Sequence, residues 1–287
     1  MQFNTATAGL EQFTPFATGL DHPEGIAWDP DANVLYAGGE AGQLYSVDEG
    51  GAVTQVADTG AFMLGLALDA AGRVYACAGS QVVRVTPSDG SVESYATGTD
   101  EEPMRTPNYP AFGSGGTLYV TDSGTWDGDD GLIYRVDPGG ECQVWTRALA
   151  SFPNGCCLAP EGDALLVIQS TTPGLWRVPI DDGGAAGIPE QVCALPDTVP
   201  DGVAVDADGQ VYISCFRPDH LYRVDRDGGV ELIASDPRGV VLNQPTNVAF
   251  VGAHLDRLAC ASLGGWSIVT GDVGARGLPL PRPAITD

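Results

Sequence analysis

The chain has 287 residues, 43% of them hydrophobic, and its 39 glycines and 21 prolines give a turn-rich composition that excludes both a helical bundle and a disordered chain. Acidic residues outnumber basic ones by 38 to 13, and the net charge of −25 argues against a nucleic-acid or anionic-membrane partner, because such partners require clustered positive charge. All 13 basic residues are arginine, so chemistry that depends on a lysine Schiff base is excluded.

A seven-residue phrase recurs six times along the chain. It begins with proline or a substitute, continues with a variable residue and a small residue, and ends in an apolar run that aspartate usually follows. The six copies occupy residues 23–29, 63–69, 107–113, 153–159, 200–206 and 245–251. Their second residues are 40 to 47 positions apart, which is a period typical of four-stranded propeller blades.

The remainder of each unit has the pattern of short strands. In the fifth unit, a polar turn at 206–209 precedes an alternating segment at 210–215, and a further alternating segment follows at 221–225. Apolar residues at every second position, bounded by glycine and aspartate, predict half-buried strands. Five units also contain a predicted fourth strand, at 53–57, 92–96, 142–146, 191–195 and 230–234.

The sixth unit lacks a fourth strand, because the chain ends in a proline-rich segment at 277–287. Residues 11–18 have the pattern of the missing strand. We therefore expect them to form the outer strand of the last blade, which closes the ring and leaves only short sheet edges. The sequence predicts an all-β fold, a six-bladed β-propeller with four-stranded antiparallel blades, in which residues 1–287 form a single domain.

The second residue of each phrase is expected at the start of an innermost strand, facing the central channel. These positions hold Glu24, Leu64, Asn108, Asn154, Asp201 and Thr246. One interpretation is that Pro-Asn-Gly and Pro-Asp-Gly are simply turn sequences. A turn does not explain Glu24 in the same register, and converging oxygens without cysteine or histidine favour a hard cation. Calcium is the first expectation, with Mg²⁺, Mn²⁺ and Zn²⁺ as alternatives.

Several phrases resemble those of a known family. They are Pro-Glu-Gly-Ile-Ala-Trp-Asp at 23–29, Phe-Pro-Asn-Gly at 152–155, Leu-Tyr-Val-Thr-Asp at 118–122 and Pro-Asp-Gly-Val-Ala-Val-Asp at 200–206. Together they resemble the senescence marker protein/gluconolactonase/luciferin-regenerating enzyme family, over nearly the whole chain. The resemblance implies a six-bladed propeller with a divalent metal, usually calcium, in its channel, and lactone hydrolysis as the commonest activity.

The same resemblance implies roles for individual residues. The family's metal is held by one glutamate, one asparagine and one aspartate, which match Glu24, Asn154 and Asp201. A further asparagine, matching Asn108, borders the metal and the substrate, and the liganding aspartate is proposed as the general base. Sugar-lactone members often carry Arg-x-Asn-Asp in the third unit, whereas here Arg105 lies one residue further away and Tyr109 replaces the second acid.

Loops at the same end of the channel are expected to contact a small organic substrate. The predicted substrate-binding residues are Asn108, Arg105, Tyr109, Trp126 and Phe216. Trp126 belongs to the acidic loop 122–131, which is placed to cover the substrate. This loop lacks the bidentate glutamate of an EF-hand, so a solvated loop is favoured over a second metal site. His22 and His220 are expected on the same face, as auxiliary acids or as passive loop residues.

These observations predict a hydrolase, dependent on a divalent metal, that acts on a lactone or related ester. The metal polarises the carbonyl, Asp201 activates water and Asn108 orients the substrate. Two alternatives stay open: isomerisation or cyclisation on the same metal propeller, and a non-catalytic binding scaffold. Residues 1–17 lack signal-peptide features and the seven scattered cysteines form no disulfide framework. We expect a cytoplasmic monomer or weak homo-oligomer whose partner is its small-molecule substrate.

Overall fold

Six antiparallel sheets form a ring of blades in the computed structural model, which describes residues 4–5 and 9–285. Apart from the two N-terminal strands, which add to the outer edges of blades 5 and 6, each blade follows chain order from its innermost to its outermost strand. The six innermost strands contact one another in a closed circle, so they surround a central channel. Among the described residues, no helix has the length and hydropathy needed to cross a bilayer.

The elements alternate regularly with short turns. The first elements are β1 (Asn4–Thr5), a 3-10 helix (Leu10–Gln12) and β2 (Thr14–Thr18). Blades 1 to 3 then contain β3–β6 (Ile26–Asp29, Val34–Gly38, Gln43–Val47, Val53–Asp58), β7–β10 (Met63–Leu68, Val74–Ala78, Gln81–Thr86, Ser91–Ala96) and β11–β14 (Pro107–Phe112, Leu118–Asp122, Leu132–Val136, Cys142–Thr146). Blades 4 to 6 contain β15–β18 (Pro153–Leu158, Ala164–Gln169, Gly174–Pro179, Glu190–Ala194), β19–β22 (Val199–Val205, Val211–Arg217, His220–Val224, Val230–Ser235) and β23–β25 (Pro245–Val251, Arg257–Ser262, Ser267–Gly271).

An N-terminal strand completes the last blade, as the sequence predicts. Strand β2 pairs antiparallel with β25, with Thr14 opposite Thr270. It begins at Thr14 rather than at residue 11, because Leu10–Gln12 form the 3-10 helix and the buried Phe13 packs into the cluster between blades 5 and 6. The short strand β1 adds a fifth, parallel strand to blade 5, which the sequence analysis did not anticipate.

The apolar core is divided among the gaps between blades. The described residues form six clusters, one between each pair of neighbouring blades. Successive residues of an innermost strand point to opposite gaps, so Val203 packs toward blade 4 while Ala204 packs toward blade 6. Because both faces of an innermost strand are buried in this way, the repeated phrase ends in a continuous apolar run. Six of the seven cysteines are buried in these walls, and all seven are free thiols.

Close approach between innermost strands explains the small third residue of the phrase. A Cβ atom on Gly25 would lie 1.9 Å from the carbonyl oxygen of Leu64 in blade 2. A Cβ on Gly202 would lie 2.6 Å from the carbonyl oxygen of Thr246 in blade 6. Glycine at these positions lets neighbouring strands touch backbone to backbone, and it sets the second residues of the phrases at one level of the channel.

Candidate functional site

Four side chains that carry oxygen atoms line one end of the channel, at the start of the innermost strands. Glu24, Asn108, Asn154 and Asp201 are each between 5% and 7% exposed. We call these four residues the oxygen ring. Of the other two second-position residues, Thr246 is buried and donates a hydrogen bond to the carbonyl oxygen of Glu24 at 3.1 Å, and Leu64 is half-buried. The structure therefore brings the three predicted metal ligands and Asn108 together.

Hydroxyl groups on the second strands hold the innermost strands in place. The Thr121 hydroxyl in blade 3 donates to the carbonyl oxygen of Asn154 in blade 4 at 2.7 Å. The Ser214 hydroxyl in blade 5 donates to the carbonyl oxygen of Thr246 in blade 6. Each bond joins one blade to the next beside the oxygen ring, so the backbone that carries the ring is fixed from both sides.

Ser170 determines which way the Asn154 carboxamide points. The hydroxyl donates its one hydrogen bond to the carbonyl oxygen of Pro200 at 2.7 Å. Toward Asn154 it can therefore only accept, and it accepts a hydrogen bond from Nδ2 at 3.2 Å. Because a hydroxyl has a single proton, the nitrogen and not the oxygen of Asn154 faces Ser170. The Oδ1 atom of Asn154 is thereby left free for another partner.

Several buried oxygens at this end of the channel have no hydrogen-bond partner among the described residues. They are Oδ1 of Asn108, Asn154, Asp201 and Asn247. An unsatisfied buried acceptor costs about 1–3 kcal/mol, so four such atoms in one place require an explanation. All four are hard oxygen donors of the type that calcium binds, and a cation bound there would satisfy them. The residues present therefore fit a divalent cation.

The two carboxylates destabilise each other's charge in the absence of a cation. Burial raises the pKa of Glu24 well above its ordinary value, the neighbouring charge of Asp201 raises it further, and the hydrogen bond from Asn247 opposes both effects. Burial raises the pKa of Asp201 to about 7, and the hydrogen bond from Asn154 acts in the opposite direction. A dication would balance the two negative charges, which is the electrostatic counterpart of the unsatisfied oxygens.

Asn247 is a site residue that the sequence analysis missed. It is fully buried, and its Nδ2 donates to Glu24 Oε2 at 3.2 Å, which leaves its Oδ1 unpartnered. It occupies the third position of the sixth phrase, where four other phrases have glycine. This departure from glycine was the available signal in the sequence. Its meaning depends on the assembled ring, because only there does the Asn247 side chain lie beside Glu24 of blade 1.

The Arg105 guanidinium is hydrogen-bonded to the acidic loop 122–131. It bonds Asp130 Oδ2 at 2.7 Å and the Asp130 carbonyl oxygen at 2.6 Å. The Asp122 carboxylate accepts the backbone N–H groups of Arg105 and Thr106 at 2.7 and 3.0 Å. The carboxylates of Asp122 and Asp130 thus tie the loop to the segment that carries Arg105 and Thr106.

The other predicted substrate contacts lie in three different environments. Tyr109 is buried in the channel wall, where its ring would lie 2.4 Å from a Cβ on Gly65 of blade 2 and where it packs in the cluster that blade 3 shares with blade 4. Trp126 is 46% exposed and packs edge-on against Phe152 at 4.8 Å. Phe216 is half-buried beneath the Arg217 guanidinium at 5.2 Å.

His22 and His220, the two histidines expected on this face, both have polar side-chain partners. His22 Nδ1 lies 2.9 Å from Asp21 Oδ1 and 2.8 Å from Glu40 Oε2, and the three side chains form a partly exposed group with metal-ligand spacing. The Asp21 carboxylate also accepts hydrogen bonds from the Ala41 backbone and from the side-chain amide of Gln43. His220 Nδ1 is 2.8 Å from the hydroxyl of Tyr222. A role for either histidine as an auxiliary acid stays a prediction.

Solved structures share this architecture at low sequence identity. A gluconolactonase from Xanthomonas campestris is 22% identical, with 91% of this chain and 89% of that chain covered and a TM-score of 0.78. The calcium-binding protein regucalcin from Agrobacterium tumefaciens is 19% identical, with 99% and 100% covered and a TM-score of 0.80. A luciferin-regenerating enzyme is 17% identical, with 94% and 98% covered and a TM-score of 0.78. These similarities show the fold.

The comparison with curated protein sequences returns no match. A family model described as the SMP-30/gluconolactonase/LRE-like region matches residues 22–264, which include the whole oxygen ring and Asn247. With six blades, a closing N-terminal strand and this match over most of its length, the chain belongs to the SMP-30/gluconolactonase/LRE-like family.

Proposed function

We propose that this protein is a hydrolase, dependent on a divalent cation, that opens a lactone or a related ester of a small molecule. The observation that carries the proposal is the set of buried, unpartnered oxygens on Asn108, Asn154, Asp201 and Asn247, beside the Glu24 carboxylate. A passive channel would not retain four unsatisfied acceptors, because each one lowers stability. Family membership supports the same reaction class.

Glu24, Asn154 and Asp201 are the residues that would hold the cation, and calcium fits their hard oxygen donors best. When bound, a divalent cation polarises a carbonyl group and stabilises the negative charge that develops on its oxygen. The protein contributes rigidity to this arrangement, because Ser170 orients Asn154 and Asn247 holds Glu24. Two carboxylates would balance the charge of a dication while leaving positions open for the substrate.

Asp201 is suited to accept a proton from the attacking water. Its Oδ1 atom is buried and unpartnered, and a bound dication would keep the carboxylate ionised, which is the form that accepts a proton. As water adds to the carbonyl carbon, its proton passes to Asp201. The ring C–O bond then breaks, and the proton returns to the leaving oxygen to give the hydroxy acid. Asn108 offers both a donor and an acceptor to orient the substrate.

A lactone screen with and without a chelator tests the proposal. We expect turnover of at least one lactone with calcium, loss of turnover after chelation, and recovery when calcium is restored. Asp201→Asn should lower kcat by at least 100-fold while keeping the fold, whereas the exposed Glu49→Gln should leave kcat unchanged. Turnover that is insensitive to chelation, or a fully active Asp201→Asn variant, would contradict the proposed mechanism.

A further inference from the structure

A second compartment lies in the channel below the oxygen ring. It is a cavity of about 320 Å³ lined mainly by apolar residues of the innermost strands, of neighbouring turns and of the C-terminal segment. This volume is within the range of small-molecule sites in proteins. None of the four residues of the oxygen ring lines it. The compartment is therefore distinct from the candidate cation site.

The register of the innermost strands separates the two compartments. In five of the six innermost strands the cavity begins two residues after the ring position, as at Ile26 after Glu24 and Val203 after Asp201, and in blade 3 it begins one residue after Asn108, at Tyr109. Two residues along a strand correspond to about 7 Å. At the third residue after the ring position, five strands have alanine and one has Cys157, which keeps the cavity wide. Ala67 and Ala249 are only half-buried there, because nothing fills the space in front of them.

The C-terminal strap, residues 277–285, closes the cavity at the end opposite to the oxygen ring. Leu278 is anchored on blade 5, where its N–H donates to the carbonyl oxygen of Val205 at 2.9 Å. The carbonyl oxygen of Pro283 accepts from Ala70 in blade 2 at 3.0 Å. Blades 5 and 2 are opposite one another in a ring of six, so the strap crosses the channel mouth along a diameter. Between these anchors, Leu278 to Arg282 line the cavity.

Arg282 fixes the strap to blade 1. Its guanidinium lies 3.1 Å from Asp29 Oδ1 and 2.8 Å from Asp31 Oδ2, and its Nε donates to the carbonyl oxygen of Asp69 at 3.2 Å. The positive charge at the mouth is thereby neutralised within the protein. The cavity offers no free charge to a ligand, and burying a charged group in it would be costly.

Trp28 contributes an apolar ring surface to the cavity wall. Its indole N–H has no acceptor among the described residues, but this atom is buried within the wall, where Trp28 packs into the cluster between blades 6 and 1, and it does not face the open space. A ligand is therefore selected by its apolar surface.

We propose that the lower channel is a second ligand site, which binds an uncharged, predominantly apolar small molecule, and that the C-terminal strap is its lid. This site is separate from the proposed hydrolytic site and does not depend on it. A purely apolar cavity can stay dry and bind small apolar compounds, which makes the proposal directly measurable.

The uncharged ketone prodan, a naphthalene derivative whose emission reports polarity, is the probe of choice for the whole chain. We expect saturable binding of one prodan per chain with a blue-shifted emission. Ala67→Phe and Ala249→Phe should fill the cavity and weaken binding at least tenfold, whereas Ala52→Phe, at an exposed turn, should not change it. Absence of saturable binding, or unchanged affinity in both filled variants, would overturn the site.

Further measurements keep the test decisive if a filled variant fails to fold. 2-Ethylnaphthalene, which carries no acceptor, should displace prodan from the cavity, because burial of apolar surface drives binding there. Arg282→Ala should release the lid and speed prodan association several-fold. Competition between prodan and saturating calcium would place the probe in the oxygen ring and overturn the proposal. Failure of the lactone screen leaves this test unaffected, because prodan binding requires neither turnover nor metal.

Discussion

The hydroxyl of Ser170 accepts a hydrogen bond from Nδ2 of Asn154 and donates one to the carbonyl oxygen of Pro200 in the next blade. This relationship aligns the Asn154 carboxamide with its oxygen unpaired. Ser170, the residue that directly follows the second strand of blade 4, thus orients an oxygen of the candidate cation site and ties it to the strand that carries Asp201.

Ser170→Ala should therefore weaken calcium binding about 10-fold, the usual effect of removing a group that orients a metal ligand. Isothermal titration calorimetry on chelator-treated protein measures the change. Ser170→Thr should recover much of the affinity because it keeps the hydroxyl. Ser94→Ala, which removes an exposed hydroxyl far from the channel, is the control and should bind calcium normally. Equal affinities in all variants would show that Ser170 does not orient Asn154.

Asn247→Gly should retain the fold and reduce calcium affinity several-fold. Glycine is the residue that four other phrases carry at this position, so the strand geometry tolerates it. The variant removes the donor to Glu24 Oε2 and one unpartnered oxygen. Calcium titration measures the effect of the substitution on affinity, and the thermal unfolding midpoint of the metal-free protein measures its effect on stability. An unchanged calcium affinity would exclude Asn247 from the site.

The metal-free protein should lose stability as the pH rises from about 4 to about 7. The pKa of Asp201 is about 7 in the folded state against an ordinary value of 3.8, so the folded state binds more protons than the unfolded state in this window. The free energy of unfolding from this group is fully present below pH 3.8 and is lost as Asp201 ionises. Glu24, with its raised pKa, acts in the same direction.

Denaturant titrations of chelated protein at several pH values measure this dependence. Calcium should reduce the pH dependence of the free energy of unfolding, because the cation favours the ionised carboxylates. In the metal-free protein, Asp201→Asn should remove most of the loss of stability between pH 4 and pH 7. A metal-free protein that becomes more stable between pH 4 and pH 7 would show that other groups outweigh the two channel carboxylates.

Gly202→Ala should destabilise the fold by about 1–3 kcal/mol, the usual cost of inserting an atom into a packed region. The added Cβ would lie 2.6 Å from the carbonyl oxygen of Thr246 and 2.7 Å from the Cα of Asn247, and both are backbone atoms that cannot move independently. Gly115→Ala is the matched control, because a Cβ there has no neighbour within 4 Å. Chemical denaturation of both variants compares them, and equal stabilities would contradict the close-approach argument.

The sequence by itself determined the architecture and the level of the oxygen ring. Both follow from a local pattern repeated six times, since each phrase specifies its own innermost strand and the repeat places the second residues of all phrases in equivalent positions. The closing strand was predictable for a similar reason, because the sixth unit lacked a strand whose pattern occurs at residues 11–18. No long-range contact had to be known for these inferences.

Only the tertiary structure decided the partners of the ring and the closure of the lower channel. Ser170 reaches Pro200, Asn247 reaches Glu24 and Arg282 reaches Asp29 across blade boundaries, between residues that are 30 to more than 200 positions apart in the chain. The burial of Tyr109 and the pairing of Arg105 with Asp130 likewise depend on which neighbour occupies each gap. A repeated phrase determines where a strand lies in its own blade, whereas side-chain contacts depend on the single residues in which neighbouring blades differ.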